Sequence, residues 1–309
     1  MSHLFGPVNS RRLGLSLGVD LVPPKTCAFD CIYCEVGPTT DLTLQRRPYA
    51  AEAIIQEVRD YFQQAHITPD FITLAGSGEP TLNEEMKKII TAIKQTSDIP
   101  VAVLTNGALL HQAEVRQALA QADVVLPSLD AAREETFRRI NRPAPGLTLA
   151  MVLSGLKDFR REYRGQIWLE VMVLKGINDN ETELQALKQE IAALAPDKIQ
   201  LNSAVRPVAD AGAQPLNREE MEAIAAYLGE GVEIIAASDR SSSGASAVTD
   251  GALVDMLARR PMTARDLAQA LGMTMPQVAK RLHRLQAAGL ISQNFHQQED
   301  FYRSKPQVN

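Results

Sequence analysis

Cysteine is scarce in this 309-residue sequence: there are three, and none lies outside the stretch from Cys27 to Cys34. So few thiols, odd in number, exclude a disulfide framework and agree with a reducing compartment. Long apolar runs are lacking too, and the opening MSHLFGPVNSRR has no signal-peptide core. A cytoplasmic protein without membrane contact is therefore expected. Nor is there an excess of basic charge, since a net charge of −5 argues against a surface that is nucleic-acid footprint throughout. That charge is uneven, because residues 249–309 hold eight Lys and Arg against five Asp and Glu. What is present, 45% hydrophobic and 22% charged residues, suits one large globular domain with a small one.

Strand-length apolar runs alternate with amphipathic helical patterns over the first three quarters of the chain. Strands are expected at Ser16–Val22, Asp70–Gly76, Val101–Gly107, Asp123–Asp130, Gln166–Leu174, Asp197–Ala204 and Val232–Ala237. One intervening helix places Ile54, Ile55, Val58 and Phe62 on one face, and another starts near Asn83. Continuous apolar strands separated by helices imply an α/β fold, a partial (β/α)6 barrel over residues 1–237. Polar residues fall at the C-terminal strand ends: Ser77 and Glu79, Thr105 and Asn106, Ser128 and Asp130, and Asn202. In a parallel barrel those ends share the face on which active sites are built.

Composition then shifts. Residues 238–248 read as a Ser/Gly linker, with SDRSSSGASA at their centre. Residues 249–309 carry three helical patterns, Ala252–Arg259, Thr263–Leu271 capped by Thr263, and Met275–Ala288. The segment GLISQNFHQQEDFYRSK follows as a two-stranded wing, completing a winged helix-turn-helix pattern. Its Lys280, Arg281 and Arg284 lie largely off the apolar face and suit phosphate contact. Packing against the barrel or a partner protein is the other reading. A cut in the linker is expected to leave the barrel folded.

The three cysteines sit in KTCAFDCIYCEVG, Lys25 to Gly37. A disulfide there would close a very short loop and strand one thiol. A structural zinc site needs a fourth ligand, and the nearest histidine in sequence, His66, lies beyond a predicted helix. Thiolates favour iron–sulfur clusters, and three of them on a 4Fe–4S cube leave one iron open for chemistry.

The spacing C-x3-C-x2-C, with Tyr33 just before the last cysteine, resembles the signature of the radical S-adenosylmethionine (SAM) enzymes. GSGEP, Gly76 to Pro80, is similar to that superfamily's Gly-Gly-Glu turn, with Ser77 in place of a glycine. The resemblance spans about Arg11 to Ala237. It implies one 4Fe–4S cluster on Cys27, Cys31 and Cys34, and a turn of Gly76, Ser77, Gly78 and Glu79 that holds the methionyl ammonium of SAM. It also implies reductive cleavage of SAM to a 5′-deoxyadenosyl radical that takes hydrogen from a substrate. Ser128, Asp130, Glu170 and Asn202 become candidates for the remaining cofactor contacts, with Tyr33 near the adenine. An electron donor such as flavodoxin or ferredoxin is implied as a partner.

The longer stretch SRRLGLSLGVDLVPPKTCAFDCIYCEVG resembles the branch of iron–sulfur oxidoreductases related to the wyosine-forming tRNA enzyme. That relative uses a second cluster on further cysteines, which this chain lacks, so its reaction does not carry over. Arg11, Arg12, Arg139, Arg142 and Arg206, near strand ends or loops, are candidates for substrate phosphate or carboxylate. With the winged helix they favour an RNA nucleoside as substrate. A protein or peptide docked on the winged domain is a second reading, and a cluster-bearing DNA-binding sensor a third.

Overall fold

The computed structural model describes residues 2–64, 67–235 and 249–305. His66, the linker Ser238–Ala247 and the last two residues of the strand expected at Val232–Ala237 lie outside them. Strands β1 (Leu4–Ser10) and β2 (Gly14–Asp20) form an antiparallel hairpin. Two short strands, β3 (Thr26–Cys27) and β4 (Asp41–Leu42), pair with each other ahead of α1 (Ala51–Gln64). Then β5 (Phe71–Ala75), α2 (Met86–Thr96), β6 (Val101–Thr105), α3 (Ala113–Leu119) and β7 (Val124–Pro127) alternate. Helices α4 (Glu134–Asn141) and α5 (Leu149–Glu162) lead to β8 (Gln166–Val173). The series ends with α6 (Glu181–Leu194), β9 (Lys198–Ser203), α7 (Arg218–Leu228) and β10 (Val232–Ile234).

The large sheet runs β1-β2-β5-β6-β7-β8-β9-β10, parallel from β2 onward. β1 and β10 are its two edges, so the sheet curls into the partial barrel that the alternation predicts. Strand β8 shows how its two faces differ. Ile167, Leu169, Val171 and Val173 join the core against the helices, while Trp168 turns inward with Leu13, Ala102, Val124 and Leu126. Leu13 belongs to the β1–β2 turn, so the hairpin tip fills the floor of the barrel. No helix among the described residues is long and apolar enough to cross a membrane.

The hairpin is the main departure from the sequence reading, which places no strand before Ser16. LFGPVNS has Gly6 and Pro7 at its centre, residues that mark turns and bulges. An edge strand tolerates them, and the β1–β2 register shifts between Phe5 and Val8 around that proline.

The winged domain follows its expected pattern, with α8 (Asp250–Arg259), β11 (Met262–Thr263), α9 (Ala264–Leu271) and α10 (Met275–Ala287). β12 (Ile291–His296) and β13 (Glu299–Ser304) form the wing, and β11 adds a third strand to it. Thr263 and Asp266 make a reciprocal capping box at the start of α9. Leu253, Leu257, Leu267, Val278, Leu282 and Leu285 build a core that also takes in Val8 of β1.

Polar contacts tie this domain to the barrel. Arg259 Nε donates to Asp20 at 2.7 Å and its Nη2 to the Ser2 carbonyl at 3.0 Å. Asn9 donates to the Gln269 carbonyl at 3.0 Å, and Arg303 to the Val36 carbonyl. Truncation at the linker, by removing the winged domain, would expose Val8 and leave the largely buried Asp20 carboxylate without its cation, and is expected to disturb the barrel.

Candidate functional site

The cysteine loop leaves the C-terminal end of β2 and is pinned at several points. Asp30 N donates to the carbonyl of Asn141 at 3.0 Å and Ile32 N to that of Ile140 at 3.0 Å, hanging the loop on the end of α4. The Thr39 hydroxyl donates to the Phe29 carbonyl and its amide to Asp30, both at 2.7 Å. Within this frame all three cysteines are half-buried and free of disulfides. Cys27 Sγ accepts from Asn106 Nδ2 at 3.3 Å and Phe29 N at 3.5 Å, and Cys31 Sγ from Asn141 Nδ2 at 3.5 Å. Burial pushes the Cys27 thiol up to about 12 and the other two above their usual range. Alone, these groups are thiols; a bound cationic metal centre would deprotonate them.

No three His, Cys, Asp or Glu among the described residues converge to hold one metal ion. A cubane instead spreads its three thiolates over three irons. Soft sulfur donors on one loop, each of two receiving N–H bonds, fit such a cluster; hydrogen bonds to sulfur are a recognised way to tune one.

The turn after β5 is stitched to the start of that loop. Lys25 N donates to the Ser77 carbonyl at 2.6 Å, and Glu79 N to the Thr26 carbonyl at 3.0 Å. Two glycines make the approach feasible. Gly76 has φ +127°, and a Cβ there would lie 1.5 Å from Asp20 Oδ1. A Cβ on Gly78 would lie 2.5 Å from the Thr26 carbonyl oxygen. Ser77, between them, has no positive φ, so a serine fits where the resemblance has glycine. Its amide donates to Asp20 at 2.9 Å.

Glu79 is 3% exposed. Oε1 accepts from Thr81 N at 3.0 Å, the Thr81 hydroxyl at 2.6 Å and the Thr105 hydroxyl at 2.7 Å, while Oε2 accepts from Asn106 N at 2.8 Å. Burial raises its pKa, and these donors oppose the rise. The carboxylate therefore clamps the turn to the end of β6 and orients Asn106, which reaches Cys27.

The other predicted residues divide into two groups. Asp130 accepts from the Tyr33 hydroxyl at 2.6 Å, Asn141 Nδ2 at 2.8 Å and Met172 N at 3.0 Å. Burial raises its pKa against those bonds. It ties the loop to α4 and β8, and Tyr33 points its hydroxyl at this carboxylate. Ser128, half-buried, lines a small cavity with Phe29, Asn106, Asp130, Phe137 and Asn141, beside the cysteine loop. Glu170, whose backbone bridges Ser128, is brought together with Asn202 by an arginine. Arg12 Nε pairs with Glu170, and Arg12 Nη2 donates to Asn202 Oδ1 at 3.2 Å. Both are committed to that arginine. Sequence reasoning missed Asn141 as a loop anchor and assigned Arg12 to a substrate; neither position carries a local signal of its partner.

The remaining arginine candidates are also partly engaged. Arg142 pairs with Asp210 at 2.5 Å and Arg206 with Glu35 at 3.2 Å, whereas Arg139 is exposed. On α10, Arg284 pairs with Asp250 of α8, Arg281 lies 3.8 Å from the same carboxylate, and Lys280 is exposed.

Comparison with known proteins places these features. The model of the radical SAM superfamily matches residues 21–186, and a helix-turn-helix domain model matches residues 251–294. A GTPase Obg of Brachyspira hyodysenteriae is 37% identical over 94% of this chain, which spans only 43% of that protein. This chain has no Gly-Lys pair and so no P-loop, and the GTPase name is not carried over. A UPF0026 protein of Methanocaldococcus jannaschii is 35% identical, the match covering 74% of this chain and 72% of that one. Among solved structures, a radical SAM methyltransferase from Sphaerobacter thermophilus superposes with a TM-score of 0.53 at 16% identity, covering 71% of this chain and 65% of that one. That likeness is one of fold.

Proposed function

Because the chain belongs to the radical SAM superfamily, whose members imply a 4Fe–4S cluster and SAM, we propose that it is a radical enzyme. Cys27, Cys31 and Cys34 would hold one cluster with an open iron. The observation that carries this reading is the direct stitching of the three-cysteine loop to the Gly76–Glu79 turn, which sets thiols and cofactor turn side by side. When bound, cluster and SAM supply a 5′-deoxyadenosyl radical that abstracts hydrogen from the substrate.

The protein's own residues bind and shield. Asn106 and Asn141 donate to cluster-ligand sulfurs, and Asp130 holds Tyr33 and Asn141 in place. Asp20 and Lys25 engage the Ser77 backbone, so Gly76 and Gly78 would present their backbone groups to the methionyl end of SAM, with Glu79 fixing the turn's shape. Ser128, on the wall of the adjoining cavity, is the remaining side chain suited to a cofactor hydroxyl. Asp130, Glu170 and Asn202 act in this reading as supports, since donors on the chain already engage them.

For the substrate we favour an RNA nucleoside. Support comes from the helix-turn-helix domain docked beside the cysteine loop, and the likeness to the wyosine-forming branch rests on the sequence stretch alone. The test is anaerobic reconstitution, reduction and chromatography for 5′-deoxyadenosine, with and without total cellular RNA. Formation of 5′-deoxyadenosine, stimulated by RNA, is expected. None with a full cluster present would defeat the enzymatic reading, and no stimulation by RNA would defeat the substrate.

A further inference from the structure

Between the first hairpin and the winged domain lies a crevice lined by Asn9, Arg11, Arg206, Arg260, Asp266 and Gln269. Three guanidinium groups meet there from distant parts of the chain: the β1–β2 turn, the segment after β9 and the end of α8. Two carboxylates face them. Arg206 reaches Glu35 at 3.2 Å and Asp266 at 3.6 Å, and Arg11 lies 3.9 Å from Glu35. Asp266 is shared, because it also accepts from Thr263 N in the cap of α9. Arg12, next along the chain, is held by Glu170 and Asn202. Arg260 is half-buried, and none of the described residues accepts a hydrogen bond from its side chain.

Three positive charges against two negative ones leave one unmatched cation partly withdrawn from water. Arg260 feels both carboxylates without a hydrogen bond to either, and guanidinium groups crowded into a partly closed crevice repel one another, a repulsion that a bound anion relieves. Burial first, then the neighbouring Arg206, pushes both Arg11 and Arg260 down to about 10, which leaves them charged at neutral pH. The guanidinium fork matches the oxygens of a tetrahedral oxyanion in paired hydrogen bonds.

We propose that this crevice is a binding site for a phosphate group, held by Arg260 and Arg11 with Arg206 between them. Glu35 follows Cys34 directly, so the site adjoins the cysteine loop, and a phosphate carried by a substrate would be gripped beside the reaction centre. Occupancy does not depend on SAM cleavage. Failure to form 5′-deoxyadenosine would count against the radical reading and leave this site standing.

The test is calorimetry on the full-length chain, kept anaerobic and unreduced, titrated with inorganic phosphate at fixed ionic strength. One saturable site is expected, with acetate binding much more weakly. Arg260→Gln should weaken phosphate binding by about tenfold or more, the loss of a charge-assisted contact. Lys87→Gln, a change on the exposed face of α2, should leave it unaltered. Short oligoribonucleotides with a 5′-phosphate or a 5′-hydroxyl separate the sources: a preference for the former marks a terminal monoester, equal binding the RNA backbone. Because Arg260→Gln could loosen the docked domain, phenylglyoxal labelling of the unaltered chain supplies a second reading, with phosphate expected to protect Arg260. No saturable binding, equal affinity for acetate, unchanged affinity in Arg260→Gln, or labelling indifferent to phosphate would overturn the proposal.

Discussion

Replacing Arg259 by Leu tests whether the winged domain supports the cofactor turn. The Arg259 side chain is 9% exposed and that of Asp20 13%. Besides the 2.7 Å bond to Asp20, the guanidinium donates to the carbonyls of Asp255 and Ser2, both at 3.0 Å, and lies 4.5 Å over the Phe5 ring. The other oxygen of Asp20 receives the Ser77 amide, so Arg259 touches the Gly76–Glu79 turn through one carboxylate. Leucine would leave that largely buried carboxylate without its cation, a loss of about 3–5 kcal/mol in comparable cases. In the docking equilibrium this amounts to roughly two to three and a half powers of ten. Native-state hydrogen exchange reads it directly, with faster exchange expected at the Ser77 amide and across α8. Burial already holds the Asp20 carboxyl above its usual range, despite Arg259. An acid whose folded pKa lies above its unfolded one weakens the fold only as pH rises through that interval. The variant's deficit should therefore be largest at neutral pH and shrink as pH falls toward about 3.9. Adding Asp20→Asn should restore most of the protection, because the amide oxygen can still accept from Ser77. Exchange at Ser77 unchanged to within about threefold, some 0.6 kcal/mol, would refute the coupling.

Other perturbations address the site itself. Reconstituted protein should bind about four irons per chain, and Cys31→Ala should lose the cluster's absorption; a full spectrum in that variant would remove Cys31 from the ligand set. Glu79→Gln keeps the shape but sets an NH2 group against one of the four donors. It should weaken SAM binding by calorimetry, with a penalty of about 1.5–3 kcal/mol, while iron content holds. Gly78→Ala pushes a methyl group to within 2.5 Å of the Thr26 carbonyl and should part the turn from the cysteine loop, lowering both iron content and SAM affinity. Gly251→Ala, whose Cβ would meet only Thr249 Oγ1 at 3.8 Å, is the matched control and should behave as the parent.

Much of the barrel was legible because its signals are periodic or local. Strands such as VAVLT, buried on both faces, read as unbroken apolar runs, and the helices between them repeat on one face. The winged domain announced itself through Thr263 and the apolar spacing of Val278, Leu282 and Leu285. The cysteine loop was legible for another reason: three thiols in eight residues have few chemical uses. β1 escaped notice because Gly6 and Pro7 imitate a turn, and only the neighbouring β2 and winged domain reveal it as an edge strand.

Partnership, in contrast to position, left no trace in the sequence. Polar residues at Asp130 and Asn202 marked the functional end of the sheet, with Glu170 a further candidate within a strand, but their type fixes only that each needs a partner when buried. Arg12 answers Glu170 and Asn202 from the far side of the hairpin, and Tyr33 with Asn141 answers Asp130. Arg259 finds Asp20 across 239 positions, and Arg206 finds Glu35 across 171. No periodicity links such pairs, because an ion pair is set by where two backbones converge. The same argument singles out Arg260: in a crevice where each neighbouring arginine faces a carboxylate within reach, a half-buried cation that hydrogen-bonds to none of the described residues directs attention to what binds from outside.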